Sequence, residues 1–162
     1  MYDLNKSKIM DLFQFDNAAK GISEAYVASS SGRVQTGDVV HLSFPETNGD
    51  CHVKSGHIRH TDSYVIKIAS GFYNNPSKGL PSSNGMMLAF SARTGEPTAI
   101  LRDEGWLTDM RTGIGGAIAT KALAAKYAKR VLIIGSGIQA QFQANCLASL
   151  MPGRSFNFNI WG

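Results

Sequence analysis

The sequence predicts an α/β chain in two parts: an α+β sheet domain, followed by the opening β-α-β unit of a second, incomplete sheet. Three observations point there. A helical period lies near the N-terminus, strand-like runs separated by turn clusters fill the middle, and a strand, glycine turn, helix and strand succeed one another from Lys129 onward. At 162 residues with 43% hydrophobic content, the chain can bury one core of ordinary size and part of another.

Taken in order, the first helix is "DNAAKGISEAYVASSSG". Asp16 is its candidate cap, Ala19, Ile22, Ala25 and Tyr26 share one face, and the serines with Gly32 end it. The period then shortens to that of strands in "DVVHLSF", "CHVKSG", "YVIKIAS", "GMMLAFSA" and "PTAILRD". Turn clusters such as "ETNGD", "NNPSKGLPSSNG" and "RTGE" separate them. Five or six strands behind one helix predict the sheet domain over residues 1–110. From Thr108 the pattern is helical again, with Ile114, Ala117, Ile118, Ala122 and Ala125 on one face, and residues 111–128 are expected to link the two domains. Gly113, Gly115 and Gly116 each weaken that helix by about 1 kcal/mol relative to alanine, so close packing against a backbone or a ligand is the expected compensation. Residues 129–162 then read as strand "RVLIIG", helix "IQAQFQANCLASLM", a Pro152-Gly153 break and strand "SFNFNIWG".

Composition removes several classes of function. The net charge of +4 comes from dispersed lysines and arginines, with no basic block and no aromatic-interleaved pattern, so nucleic acid is not an expected partner. The N-terminal "MYDLNKSKIMDLF" carries charges where an export signal needs an apolar run, and no span suits a membrane, so a cytoplasmic protein is expected. Cys51 and Cys146 form no C-x-x-C pair and read as small buried hydrophobes. His52, His57 and His60 in "CHVKSGHIRH" lack a zinc spacing and read as hairpin surface residues, leaving no metal site.

The chemistry-bearing motif is Gly135-Ser136-Gly137-Ile138-Gln139-Ala140, a G-x-G-x-x-A turn between a predicted strand and a predicted helix. Gly135 allows the tight turn, Gly137 removes a Cβ that would meet a pyrophosphate, and Ala140 lets helix and strand pack closely. The amides of the helix start then face the phosphates of a dinucleotide, where the helix dipole favours negative charge. That places an NAD or NADP site in a Rossmann-type unit.

Beyond this loop, "VIKIASGFYNNPSKGLPSSNGMMLAFSARTGEPTAILRDEGWLTDMRTGIGGAIATKALA", followed by "VLIIGSGIQAQFQ", resembles the ornithine cyclodeaminase and mu-crystallin family from about Ala28 to Gly162. An early arginine, a lysine on a strand, N-P-S-K-G-L-P, T-G-E-P, T-x-x-R-T and G-x-G-x-Q-A carry the resemblance. It implies an N-terminal domain that binds substrate and forms a homodimer, joined to a Rossmann domain for NAD or NADP. It also implies that basic residues hold the carboxylate of a small amino-acid or imino-acid substrate, with Arg33, Lys67 and Arg111 as the candidates. Lys67 is in addition the candidate catalytic residue, as electrostatic partner of an imine, and Thr112 a candidate contact to the cofactor. An arginine fork suits a carboxylate, and a lysine adds a compact charge.

The type reaction converts ornithine to proline and ammonia by internal redox, while imine or ketimine reductases, alanine dehydrogenases and ligand-binding mu-crystallins share the motifs, and a stand-alone dimerisation module is the further alternative. The family's proton-handling aspartate is expected beyond Gly162, and the residue that would choose between NAD and NADP, at the end of the second strand, at or just past Trp161-Gly162. The chain is therefore expected to be an N-terminal portion of a longer enzyme, inactive alone, with Ile133, Phe156, Phe158 or Ile160 partly exposed.

Overall fold

A computed structural model describes residues 1–162, which form nine strands and four α-helices. They fall into two compact units, one of Met1–Phe13 with Val27–Leu107, the other of Gln14–Tyr26 with Thr108–Gly162.

The first unit is built on a seven-stranded sheet. Its strands are β1 (Tyr2–Asn5), β2 (Val34–Thr36), β3 (Val40–Phe44), β4 (Gly49–Ile58), β5 (Ser63–Phe72), β6 (Ser83–Ser91) and β7 (Pro97–Arg102). They run in the order β1-β7-β6-β5-β4-β2, with β3 also paired to β4. β3 to β7 are the five runs that alternation predicts. β4 extends beyond "CHVKSG" because two strands share its edge: β3 pairs with Gly49–Val53 and β2 with Gly56–Ile58. β1 and β2 carry no alternation long enough to read, and each is a strand only through a distant partner, Tyr2 lying opposite Ala99 in parallel and Val34 opposite Ile58.

Between β1 and the next helix stands α1 (Lys6–Leu12), started by Asn5, whose side chain accepts the Lys8 N–H at 3.0 Å. Its inward residue is Ile9. The predicted N-terminal helix is α2 (Phe15–Ser30), with Ala19 and Ala28 buried. The Ala18 N–H already bonds to the Gln14 carbonyl, so the helix starts before Asp16. Asp16 is thus a first-turn acid favoured by the helix dipole and not the cap expected from sequence. The end is as the Ser-Gly signal predicts. Gly32 takes φ 70°, its N–H bonds to Ser29 O, and the Arg33 N–H bonds to Ala28 O at 2.9 Å, closing two helix-end carbonyls in a Schellman motif.

The helix expected from Thr108 is α3 (Trp106–Leu123). It begins earlier because Asp103, 1% exposed, caps it: its Oδ2 accepts the Leu107 N–H at 2.8 Å and its carbonyl accepts that of Trp106. It also ends earlier than residue 128. The Ala128 N–H bonds to Ala125 O in a turn, and the Arg154 guanidinium donates to both of those carbonyls, at 2.7 and 2.9 Å. The apolar face accordingly stops near Ile118, with Ala122 exposed and Ala125 outside the helix.

In the second unit, β8 (Arg130–Ile134), α4 (Ile138–Leu150) and β9 (Asn157–Trp161) form the predicted β-α-β succession, the two strands parallel with Val131 opposite Phe158. α3 lies close against α4. A Cβ on Gly113 would meet Phe142 O at 2.7 Å and Cys146 Sγ at 2.8 Å, so only glycine allows this approach. Gly115 and Gly116 lie as closely against the Tyr26 hydroxyl and the Gln143 amide. Close packing, against backbone at Gly113 and against side chains at Gly115 and Gly116, is therefore what compensates the helix-weakening glycines. Of the residues expected to be exposed, Ile133, Phe156 and Phe158 are half-buried and Ile160 is exposed. The most exposed apolar groups of the strand pair are Leu132, Ile134 and Trp161, which share its other face because successive residues alternate sides.

Candidate functional site

In the first unit, sheet register decides which side chains share a face, since directly opposed residues project to the same side. Lys67 on β5 is half-buried and lies opposite Lys54 on β4 and Met87 on β6. Two residues along β4 stands His52, opposite His41 on β3, and their rings stack with centroids 4.6 Å apart. Two further along stands Asp50. Its Oδ1 is 3.4 Å from His52 Nδ1, and its Oδ2 accepts the Tyr73 hydroxyl at 2.9 Å. This hydrogen bond, with the carboxylate's charge beside it, pushes the Tyr73 phenol above its ordinary pKa of 10.0. One face thus carries Lys67, Lys54, the stacked imidazoles and the Asp50–Tyr73 pair.

Arg33 does not join them. Its carbonyl accepts the Arg59 N–H just past the β2–β4 pairing, which puts it in alternation with Val34 and on the other side of the sheet from Lys67. Its Nε donates to Ser31 Oγ at 3.0 Å. His57 falls on that other side too, and His60 occupies a turn with φ 71°, so the sequence cluster of three histidines is dispersed. A hollow of about 390 Å³, lined by Gln35, Thr36, Ser55, His57, Tyr64 and Ser91 among others, contains none of the expected site residues.

The second unit holds the glycine turn. Gly135 takes φ 109°, a conformation that other residues avoid, and its N–H continues the ladder to Trp161 O at 2.7 Å. Gly137 is the N-cap of α4 in extended conformation, φ −72° and ψ −177°, with no side chain capping the helix. Any residue adopts that conformation, and a Cβ there would touch no protein atom within 4 Å. Backbone geometry and internal packing therefore do not require glycine at 137, whereas a group approaching the helix start would. Ile138 and Ser136 are exposed beside it, and Ala140 is buried, as close packing requires.

Side chains hold this turn against α3. Gln139 Nε2 donates to Asp109 Oδ1 at 2.7 Å, while its Oε1 is buried without a partner. Gln143 Nε2 donates to the Thr112 carbonyl, and Thr112 Oγ1 donates to Thr108 O at 2.7 Å. Arg111 is exposed. Because α3 starts at Trp106, Arg111 lies in its second turn and not at the helix start. An uncapped helix start behind two glycines fits a dinucleotide's phosphates.

Sequence reading singled out Lys67 and the glycine turn and took His52 as a hairpin surface residue, but passed over Lys54, the stacking of His41 on His52 and the Asp50–Tyr73 pair. The signal was present as the alternation Asp50, His52, Lys54 along one strand. What it lacked was the register that adds His41 and Lys67.

The sequence profile described as the ornithine cyclodeaminase/mu-crystallin family matches residues 3–156. An uncharacterized cyclodeaminase of Sinorhizobium fredii is 36% identical over 160 residues, 98% of this chain and 48% of that protein. Among solved structures, Δ1-pyrroline-2-carboxylate reductase of Thermococcus litoralis, in complex with NADH and L-proline, superposes with a TM-score of 0.88 at 26% identity, over 99% of this chain and 49% of that one. An archaeal alanine dehydrogenase dimer with bound NAD superposes with a TM-score of 0.82 at 26% identity, over the whole of this chain (100%) and 56% of that one. The chain spans about half the length (48%) of the first curated relatives it matches.

Proposed function

The chain belongs to the ornithine cyclodeaminase/mu-crystallin family, and on that premise we propose that it carries the substrate-binding face and the cofactor-binding turn of an NAD(P)-dependent enzyme acting on a small amino or imino acid. The observation that carries the proposal is Gly137, a glycine whose extended backbone and open surroundings have no internal reason for lacking a Cβ. Gly135, Ser136, Gly137, Ile138, Gln139 and Ala140 would hold the pyrophosphate, with the unpaired amides of the α4 start as donors. Thr112, tied to Gln143 through its carbonyl, is proposed as a further cofactor contact. When bound, the nicotinamide supplies hydride exchange at the substrate's α-carbon.

The chain's own residues bind and orient. Lys67 is the proposed ligand of the substrate carboxylate in the first unit and the electrostatic partner of the imine, its compact charge set beside the carboxylate. Arg111, with its planar fork, is the carboxylate ligand proposed in the second unit. Arg33, on the other side of the sheet from Lys67, has the weaker support. The type reaction is ornithine to proline and ammonia. The reading that competes with it, imine reduction or alanine oxidation, is favoured by what the two solved neighbours bind or are named for. A homodimer through the first unit belongs to the same proposal. Val40, Leu42 and Phe44 on β3 and Met86 on β6 are exposed apolar groups on the sheet face away from Lys67, and the alanine dehydrogenase neighbour is a dimer. No helix is long and apolar enough to cross a membrane, and a cytoplasmic location is proposed on the cofactor's account.

Titration of NADH and NADPH followed by nicotinamide fluorescence tests the proposal. Saturable binding is expected, and Gly137→Val should weaken it at least about tenfold, equivalent to 1.4 kcal/mol, by placing a branched side chain over the helix start. Binding by Gly137→Val as tight as by the native chain would refute the assignment.

A further inference from the structure

Resting on that reading, we infer that the glycine turn prefers NADP(H) to NAD(H), and that Gly162 is the residue that sets the preference. A dinucleotide unit that selects NAD carries an acid at the end of its second strand, where the carboxylate accepts a hydrogen bond from the adenosine ribose 2′-hydroxyl. The same carboxylate repels a phosphate at that oxygen. Register locates the position in this chain. β8 and β9 run parallel with Val131 opposite Phe158 and Ile133 opposite Ile160, and the ladder continues from the Gly135 N–H to Trp161 O. One more step of alternation puts Gly162 on the face of Phe158 and Ile160. That face looks toward α4, since Val131, Ile133 and Phe158 line a hollow of about 220 Å³ together with Gln143 and Leu147 of the helix. A Cβ at Gly162 would stand 3.0 Å from Ser136 N and 3.1 Å from Gly135 Cα, so the strand end abuts the glycine turn itself.

The place of the acid is therefore held by a residue with no side chain. A carboxylate could enter only by pressing its Cβ on the backbone of the turn. Ser136, exposed in that turn, offers a hydroxyl and an N–H that no group of the chain engages, and both are donors that suit a phosphate. Charge favours the same choice. Asp109, held by Gln139, is the only side-chain carboxylate among residues 108–162, against six lysines and arginines. A 2′-phosphate adds about two negative charges to the dinucleotide, which this basic stretch attracts.

The test titrates the chain with NADPH and with NADH by nicotinamide fluorescence. Adenosine 2′,5′-bisphosphate and adenosine 5′-monophosphate, which differ only in the 2′-phosphate, serve as displacing probes. The chain is used with a short uncharged Ser-Gly-Ser extension after Gly162, so that no terminal carboxylate stands in the acid's place. NADPH is expected to bind about tenfold tighter than NADH, the worth of one hydrogen bond to a charged group. The bisphosphate should displace it at about tenfold lower concentration than the monophosphate. Gly162→Asp should reverse the order of the two cofactors, while Gly162→Asn, of the same shape without the charge, keeps NADPH first. Equal binding of NADH and NADPH, equal displacement by the two probes, or an Asp variant that ranks the cofactors as the Asn variant does would overturn the inference. If both variants lose the turn, the ratio measured on the native residue decides alone. NADH binding without a preference for NADPH leaves the cofactor reading standing and refutes only this inference. Failure of all four ligands to bind refutes the cofactor reading, and the inference with it.

Discussion

Replacing Gly113 by alanine should destabilise the protein although alanine is the better helix former. A Cβ at this position meets the Phe142 carbonyl oxygen at 2.7 Å and its carbon at 2.9 Å, and these are backbone atoms that cannot rotate aside. Helices α3 and α4 must therefore shift apart. Overpacking of this kind costs about 1–3 kcal/mol, and alanine returns about 1 kcal/mol of helix propensity. With a main-chain obstacle the upper part of the range applies, leaving a net loss of about 1–2 kcal/mol. For a chain of this size that lowers Tm by about 2–8 °C. Gly21, exposed on α2 with nothing within 4 Å of its Cβ position, supplies the control. Gly21→Ala should gain about 0.5–1 kcal/mol and raise Tm. Thermal melts of both variants by far-UV circular dichroism measure the difference. A Gly113→Ala protein melting at or above the native chain would refute the claim that close helix approach, and not chance, explains the glycines of α3.

Asp103→Ala should cost about 1–3 kcal/mol in urea unfolding, since it strips a buried cap from α3, while Asp103→Asn, which keeps an acceptor for the Leu107 N–H, should cost less. The Tyr73 phenol should ionise above the ordinary tyrosine value in a 295 nm titration, and Asp50→Asn should bring it down. Because the folded pKa is raised, this pairing favours the fold below the unfolded phenol's pKa and the contribution is lost as pH rises through the folded one. Burial pushes the Cys146 thiol up, and the residue is only 2% exposed, so a disulfide reagent at pH 8 should label Cys51 first. Gly113→Ala should then speed Cys146 labelling, because Cys146 Sγ is the other atom the new methyl meets.

Local chemistry determined much of this protein. Period-2 alternation marks β3 to β7, the Ser-Gly ending of α2 becomes a Schellman cap, and the strand–glycine–helix order of residues 130–150 is built as read, because each depends on neighbours within a few residues. The family too is legible in the motifs, and its profile covers residues 3–156. Helix ends were less legible, since Asp103 and Arg154 set the limits of α3 from outside the repeating pattern. What only the tertiary structure decided is register. β1 exists through β7 and β2 through the far end of β4, pairings no local window contains. The same register sends Arg33 away from Lys67 and brings Lys54, His52 and His41 to it, because a one-residue step on a strand exchanges the two faces of a sheet.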